Sequence, residues 1–336
     1  MRLFQESGDG LGSIGFPNIG IDEINPSDGF RLFGFEIKYY GVIIALGLLL
    51  AAFYAMRRAK QFGLTSDDIL DIVLVGTPSA VIGARLYYVL SHGTPIDQWL
   101  NIRDGGMAIY GGVIAAVLSV LLFCMLSKKR RRKFLPCADL AGLGFLIGQS
   151  VGRWGNFFNR EAFGTYTDSL LAMRLSEHRL DGLTELKDSP AMQTLRENAV
   201  DGFIQVHPTF LYESIWNILG VVLIHFLSKK RKFDGQVFLY YIAWYGLGRV
   251  YIEGMRMDSL MPGDIRISQL IAGISCLAAV AILIYMLAIK RPSSEKMLVH
   301  CVAAEAAAEA EQVEEEKEEI LEETESQPEK EEEEHG

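Results

Sequence analysis

Midway along the chain an apolar segment ends in Gly152-Arg153-Trp154-Gly155-Asn156-Phe157-Phe158-Asn159-Arg160-Glu161, with Gly164 just beyond. Burying an arginine in a bilayer costs several kcal/mol, so an arginine set among glycines, asparagines and a carboxylate in such a segment marks a functional site. A second charged group, Arg249, Glu253 and Arg256, closes another apolar segment. Guanidinium groups present a planar fork of donors that suits phosphate, so several arginines at one depth point to an anionic ligand. The glycines at 152 and 155 would also let a phosphate approach backbone amides.

The elements that carry these groups read as membrane helices. Half of the 336 residues are hydrophobic, and they are gathered into runs of the roughly 20 residues that a helix needs to cross a hydrocarbon core about 30 Å thick. Seven such spans are expected, at Ile37 to Met56, Ile69 to Leu90, Gly105 to Leu126, Phe134 to Val151, Pro208 to Leu227, Gly235 to Ile252 and Ile267 to Ile289. Basic clusters follow the odd-numbered spans: Arg57, Arg58 and Lys60; Lys128 to Lys133; Lys229 to Lys232; Lys290 and Arg291. Cytoplasmic loops carry such excess positive charge, which places the N-terminus outside and the C-terminus in the cytoplasm. The expected fold class is therefore all-α, a polytopic bundle of seven transmembrane helices with a small extracytoplasmic cap.

The domain reading follows. Residues 1–36 form an extracytoplasmic N-terminal segment with no basic region leading into an apolar one, so they do not read as a signal peptide. Residues 37–291 form the membrane domain, with the cap at 165–206. Residues 292–336 form an acidic tail, disordered or partly helical. From Glu295 onward, 17 Glu against 3 Lys contribute −14 to the chain's net −10, which leaves a mildly basic membrane body. Such dense like charge reads as a solvated segment.

Span direction assigns each polar group a depth, and the depths agree. Tyr39 and Tyr40 open span one on the outside, Arg85 approaches the outside in span two, and Tyr110 lies in the second turn of span three. Arg153 and Asn156 close span four, Glu213 is in the second turn of span five, and Arg249 and Glu253 end span six, with Arg256 just outside. A bundle held by packing alone has no need of this set, because each buried charge costs more than an apolar replacement unless paired or solvated. The expectation is a polar cavity reached from the outer leaflet.

Other residues carry plainer readings. Tyr39, Tyr40, Trp244 and Tyr245 also fit an interfacial aromatic belt, and Arg85 and Arg256 also fit snorkelling side chains. Asp71 and Asp139 stand near inner helix starts, where a carboxylate caps free amides. The four cysteines show no paired spacing, which favours neither a disulfide framework nor a zinc site. The sequence has no P-loop and no HExxH motif, and no cofactor, metal or nucleic-acid partner is expected.

The motif at 152–161 with Gly164 resembles the signature of the prolipoprotein diacylglyceryl transferases. Supporting blocks stand in order at Tyr40-Gly41, Gly105 to Gly112, His207-Pro208-Thr209-Phe210-Leu211-Tyr212-Glu213, and Tyr245 to Glu253. The resemblance covers most of the body from about Tyr40 to Arg256 and leaves out the acidic tail. It implies an enzyme of the bacterial plasma membrane, open to the outer leaflet, that moves the diacylglyceryl group of phosphatidylglycerol onto the lipobox cysteine thiol of a prolipoprotein. The product is a thioether, and glycerol phosphate leaves.

By the same resemblance Arg153, Arg249 and Tyr110 are the catalytic positions. Arg153, Tyr40, Asn156, Asn159, Glu161, Gly164, Glu253 and Arg256 bind phosphatidylglycerol, with Glu161 and Glu253 holding the arginines. Many members of the family have a histidine where this chain has Tyr110. A phenol with a pKa near 10 is a poor base at neutral pH, which leaves His207 and Glu213 as alternatives. The rival from another class is a transporter for an organic or lipid-phosphate anion; the lack of a visible internal repeat and a site displaced outward argue against it.

Overall fold

The computed structural model describes residues 5–6, 12–101, 105–126, 133–183, 189–257 and 266–325. Seven long helices dominate: α1 (Tyr39–Arg58), α2 (Ser66–His92), α3 (Ile109–Leu126), α4 (Phe134–Asn159), α6 (Thr209–Ser228), α7 (Gln236–Glu253) and α8 (Ile267–Ile284). A short helix α5 (Pro190–Glu197) lies in the cap, and α9 (Leu298–Glu325) forms most of the acidic tail. Among the described residues six helices are long and apolar enough to cross a membrane. The seventh, α7, falls short by composition because its 18 residues include Arg249, Glu253 and Gln236. The chain is a mostly helical, multi-pass membrane protein.

Helix α4 is the hub. It packs on α1, α6 and α7, while α3 rests chiefly on α2 and α8 on α7. Its glycines make the approach of α1 possible: a Cβ at Gly144 would meet Ala51, one at Gly152 would meet Ile44, and Gly148 faces Gly47. Small residues at such contacts let membrane helices approach backbone to backbone. At Gly155 the Tyr40 ring occupies the place of the missing side chain, 2.7 Å from where a Cβ would stand. Helix α4 therefore runs straight through Gly152 and Gly155 to Asn159, eight residues past the expected end of span four. Arg153 and Asn156 lie on a continuous helix.

The all-α expectation needs correction outside the bundle, where short strands form. Strands β1 (Gln5–Glu6), β4 (Gly29–Leu32) and β5 (Phe35–Lys38) make one antiparallel sheet, in the order β1-β4-β5. Strands β2 (Ile14–Phe16), β3 (Ile21–Ile24), β6 (Met173–Ser176) and β7 (Phe203–Val206) make another, in the order β3-β2-β6-β7. Ile14 pairs with Leu175, so the N-terminal segment and the cap share a sheet. Beneath it, Ile14, Leu175, Leu180, Met192, Leu195 and Ile204 form a core with no exposed surface. Runs of three or four residues are too short for their alternation to stand out in the sequence.

The carboxylate caps are real but differently placed. Helix α2 begins at Ser66, so Asp68 rather than Asp71 closes a capping box with Thr65, and Lys133 Nζ bonds it at 2.9 Å. Asp139 is fully buried and caps a neighbouring helix: it accepts from the Gly235 and Phe238 amides, both at 2.8 Å, at the start of α7. Asp234 in turn accepts from the Leu298 amide at 2.8 Å and anchors the start of α9.

Candidate active site

Three helix ends meet at one place. Phe163 to Thr165, just past α4, are threaded between the segment that follows α7 and the one that precedes α6. The amide of Thr165 donates to Met255 O at 2.8 Å, Met257 donates to Phe163 O at 3.2 Å, and Gly164 donates to His207 O at 3.0 Å. Gly164 is required for the fit, since a Cβ there would stand 2.7 Å from His207 Cβ and 3.0 Å from Met255 O. The Thr209 hydroxyl bonds Ala162 O, and the Ser214 hydroxyl bonds Ser150 O at 2.9 Å, tying α6 to α4.

Helices α6 and α7 are joined by a reciprocal clasp. The indoles of Trp216 and Trp244 stack with centroids 4.3 Å apart, and each donates to the other's backbone carbonyl, at 3.0 and 2.9 Å. Each ring also lies over a glycine of the opposite helix: Trp216 on Gly248, Trp244 on Gly220. Trp244 is thus an interhelical strut rather than a belt residue. The clasp fixes α6 against α7 within one turn of Glu213 and next to Arg249.

On this scaffold Glu213 gathers the arginines. Its side chain is 5% exposed; Oε2 lies 2.6 Å from Arg153 Nη2, and Oε1 lies 3.2 Å from Arg249 Nη1 and 3.7 Å from Arg256 Nη1. Glu253 adds a second carboxylate, 2.6 Å from Arg249 Nη2 and 3.9 Å from Arg256 Nε. Among the described residues, three guanidinium groups and two carboxylates leave a positive excess of one. The arginine side chains are 12–18% exposed, so they are not sealed from their surroundings. Such charge-assisted, partly desolvated donors interact strongly with an incoming anion.

The remaining expected residues fall into neighbouring groups. Arg153 Nη1 reaches Asn156 Oδ1 at 3.4 Å. Glu161 accepts from Asn156 at 2.9 Å and from Asn159 at 3.2 Å, so it orients the asparagines, and among the described residues it forms no ion pair with an arginine. Tyr40 lies on Gly155, two residues along α4 from Arg153. Tyr110 is 44% exposed at the start of α3 and makes no hydrogen bond among the described residues. Arg85, counted with the converging arginines by depth, belongs elsewhere: its guanidinium binds the carbonyls of Gln98, Trp99, Gly105 and Gly106 at 2.6–3.0 Å and pins the loop before α3. His207 contacts the Tyr212 hydroxyl at 3.3 Å, and burial pushes its pKa down.

Three further residues complete the surroundings. The Glu213 position was visible as a lone carboxylate in an apolar helix, but its role as the common partner of three arginines was not. Arg160, in the left-handed conformation that ends α4 and 1% exposed, bonds Phe158 O and Pro26 O and straps the N-terminal segment to the site. Arg266 bonds Glu253 O from the start of α8. Among the described residues no three His, Cys, Asp or Glu side chains are grouped so as to hold a metal ion.

Comparison with known proteins bears on the same residues. Positions 28–285 match the family described as prolipoprotein diacylglyceryl transferase. The chain is 39% identical over 255 residues, 74% of its length and 88% of the relative's, to a phosphatidylglycerol--prolipoprotein diacylglyceryl transferase of Bacillus mycoides (strain KBAB4). It is 40% identical over 242 residues, 71% of its length and 83% of the relatives', to proteins of the same name from Bacillus cereus (strain Q1) and Bacillus anthracis. The matched region takes in α1 to α8, the cap and every residue of the arginine cluster, and the chain belongs to the prolipoprotein diacylglyceryl transferase family.

Proposed function

We propose that this chain transfers the diacylglyceryl group of phosphatidylglycerol to the lipobox cysteine thiol of prolipoproteins, the first step of lipoprotein maturation. The observation that carries the reading is the convergence of Arg153 and Arg249, from different helices, on the two oxygens of Glu213. In the reaction the substrate sulfur attacks the terminal glyceryl carbon and forms the C–S bond. The carbon–oxygen bond to the phosphate breaks, and its electron pair stays on the leaving glycerol phosphate. Negative charge therefore grows on the phosphate oxygens as carbon passes to sulfur. Fixed donors from Arg153 and Arg249 stabilise that growing charge, with Arg256 behind them. Asn156 and Asn159, oriented by Glu161, supply neutral donors for head-group oxygens.

The thiol also loses a proton. A thiol of pKa about 8.5 is already a few per cent thiolate near neutrality, and nearby guanidinium groups raise that fraction. Glu213 is committed to the arginines, and burial lowers the pKa of His207, which weakens it as a base. Tyr110 supplies a hydrogen bond to the incoming substrate rather than serving as the base. We place all seven long helices across the bacterial plasma membrane, with the N-terminus outside, the C-terminus in the cytoplasm and the arginines open to the outer leaflet. The four basic clusters after odd-numbered spans support this orientation. The cap meets the peptide.

The test is incubation of purified protein with phosphatidylglycerol and a lipobox peptide, read by mass spectrometry. The peptide gains one diacylglyceryl group with the wild type and none with Arg153→Ala, which retains its fold. Transfer by Arg153→Ala at the wild-type rate overturns the assignment.

A further inference from the structure

A second feature of α6 lies at the end away from the arginine cluster. Leu219, Val222, Leu223, Phe226 and Leu227 recur at helical spacing along one face, reach Lys230, and with Trp244 as a side wall line a trench of about 470 Å³. From Leu219 to Lys230 the helix rises roughly 16 Å, about half of a hydrocarbon core of about 30 Å. The trench is therefore one leaflet deep. Glu213 and its arginines occupy the other end of the same helix, so the trench belongs to the opposite leaflet.

The open end of the trench is cationic. Lys230 stands there, and Lys229 Nζ lies over the Phe226 ring at 5.0 Å, which brings a second ammonium to the same level. Neither lysine has a carboxylate partner among the described residues. Arg231 is turned inward onto the Phe62 ring at 4.0 Å and the Gln61 carbonyl, and Asp234 is engaged by the Leu298 amide. An apolar groove one leaflet long that ends in unpaired ammonium groups has the outline of a phospholipid, chain and head group together.

We propose that this trench holds one acyl chain of an anionic phospholipid in the leaflet opposite the arginine cluster, with its head group on Lys230 and Lys229. A second copy of this chain is the poorer occupant. A two-fold axis along the membrane normal would bring the lysine pairs of both copies to one level, and like charges would face each other.

Native mass spectrometry in neutral detergent tests the proposal, with dioleoylphosphatidylserine and dioleoylphosphatidylcholine as probes. The wild type is expected to retain one phosphatidylserine in preference to phosphatidylcholine. Retention should fall about fivefold when one cation is removed in Lys230→Gln, and similarly when Leu223→Trp fills the groove. Both positions are exposed, and Lys230→Gln alone decides the matter if the tryptophan variant fails to fold. Equal retention of the two lipids, or phosphatidylserine binding unmoved by either variant, overturns the proposal. So does a dimer that Leu223→Trp dissociates. The readout does not involve the transfer reaction, so it stands or falls separately from the proposed function.

Discussion

Glu213→Gln is the change that tests the arginine cluster most directly, because it keeps the shape of the side chain and removes its charge. Glu213 lies 2.6 Å from Arg153 and 3.2 Å from Arg249 in a site where its own side chain is 5% exposed. Removing one partner from a buried ion pair costs about 3–5 kcal/mol, since the surviving charge stays desolvated without compensation. Glu253 still holds Arg249 at 2.6 Å, which favours the lower end, about 3 kcal/mol. At about 2 °C per kcal/mol for a chain of this size, the melting temperature without anionic lipid should fall by about 6 °C.

Anion binding should change in the opposite direction. The excess charge of the cluster rises from one to two, and one unit charge about 5 Å from a bound phosphate contributes about 3 kcal/mol at an effective dielectric constant of about 20. Half of that, allowing for the partial exposure of the arginines, is about tenfold in affinity. Phosphatidylglycerol should therefore restore more stability to the variant than to the wild type, and KM should fall while kcat falls with it. The assay is thermal unfolding in neutral detergent with and without phosphatidylglycerol, alongside transfer kinetics. Glu161→Gln, whose side chain accepts from Asn156 and Asn159 and pairs with no arginine among the described residues, is the control and should melt within about 1 °C of wild type. If Glu213→Gln melts like that control and binds lipid no more tightly, Glu213 is not what holds the arginines.

Other changes probe the scaffold and the proton. Gly248→Ala places a Cβ 2.2 Å from Trp216 Nε1; it should destabilise by about 1–3 kcal/mol, slow transfer by displacing Arg249, and be partly relieved by Trp216→Phe in a double-mutant cycle of melting temperatures. Tyr110→Phe should slow transfer by about tenfold if the hydroxyl donates a hydrogen bond to substrate, with melting unchanged because that hydroxyl has no partner among the described residues; wild-type kinetics would reduce Tyr110 to packing. His207 has a folded pKa below its usual 6.5, set by burial. Its neutral form is favoured in the fold, so its contribution is complete above pH 6.5 and is lost as the pH falls from 6.5 toward the folded pKa. The melting temperature of the wild type should accordingly drop more between pH 7.5 and 5.5 than that of His207→Gln.

The long helices were legible because the bilayer demands runs of apolar residues, and their bounds differ from those expected by only a few residues at most ends. The exception is instructive. Gly152 and Gly155 beside an arginine read as the end of span four, yet the helix continues to Asn159 because α1 fills both glycine positions with Ile44 and Tyr40. Sequence reasoning placed the arginines at one depth but could not supply azimuth. Arg85, given the same depth as Arg153 by its place in the sequence, turns instead to the loop before α3. The partnership of Glu213 was hidden because its three arginines come from the ends of two other helices, brought together only by the Phe163–Thr165 thread and the tryptophan clasp. Asp139 shows the same limit, since a helix-start carboxylate was recognised while the helix it caps was not.

The pairing of arginines with carboxylates also bears on why a phosphate site would contain Glu213 and Glu253 at all. A lipid substrate must enter and an anionic product must leave, so three guanidinium groups held without counter-charge would retain the product and would repel one another while the site is empty. With both carboxylates in place, each arginine is already desolvated and aimed before lipid arrives, and little reorganisation is needed when charge develops on the leaving phosphate. On the proposed function, the excess of one among the described residues would favour an anion and still let it go. On this argument removal of the carboxylates should raise affinity and depress turnover together, which no purely structural ion-pair network would do.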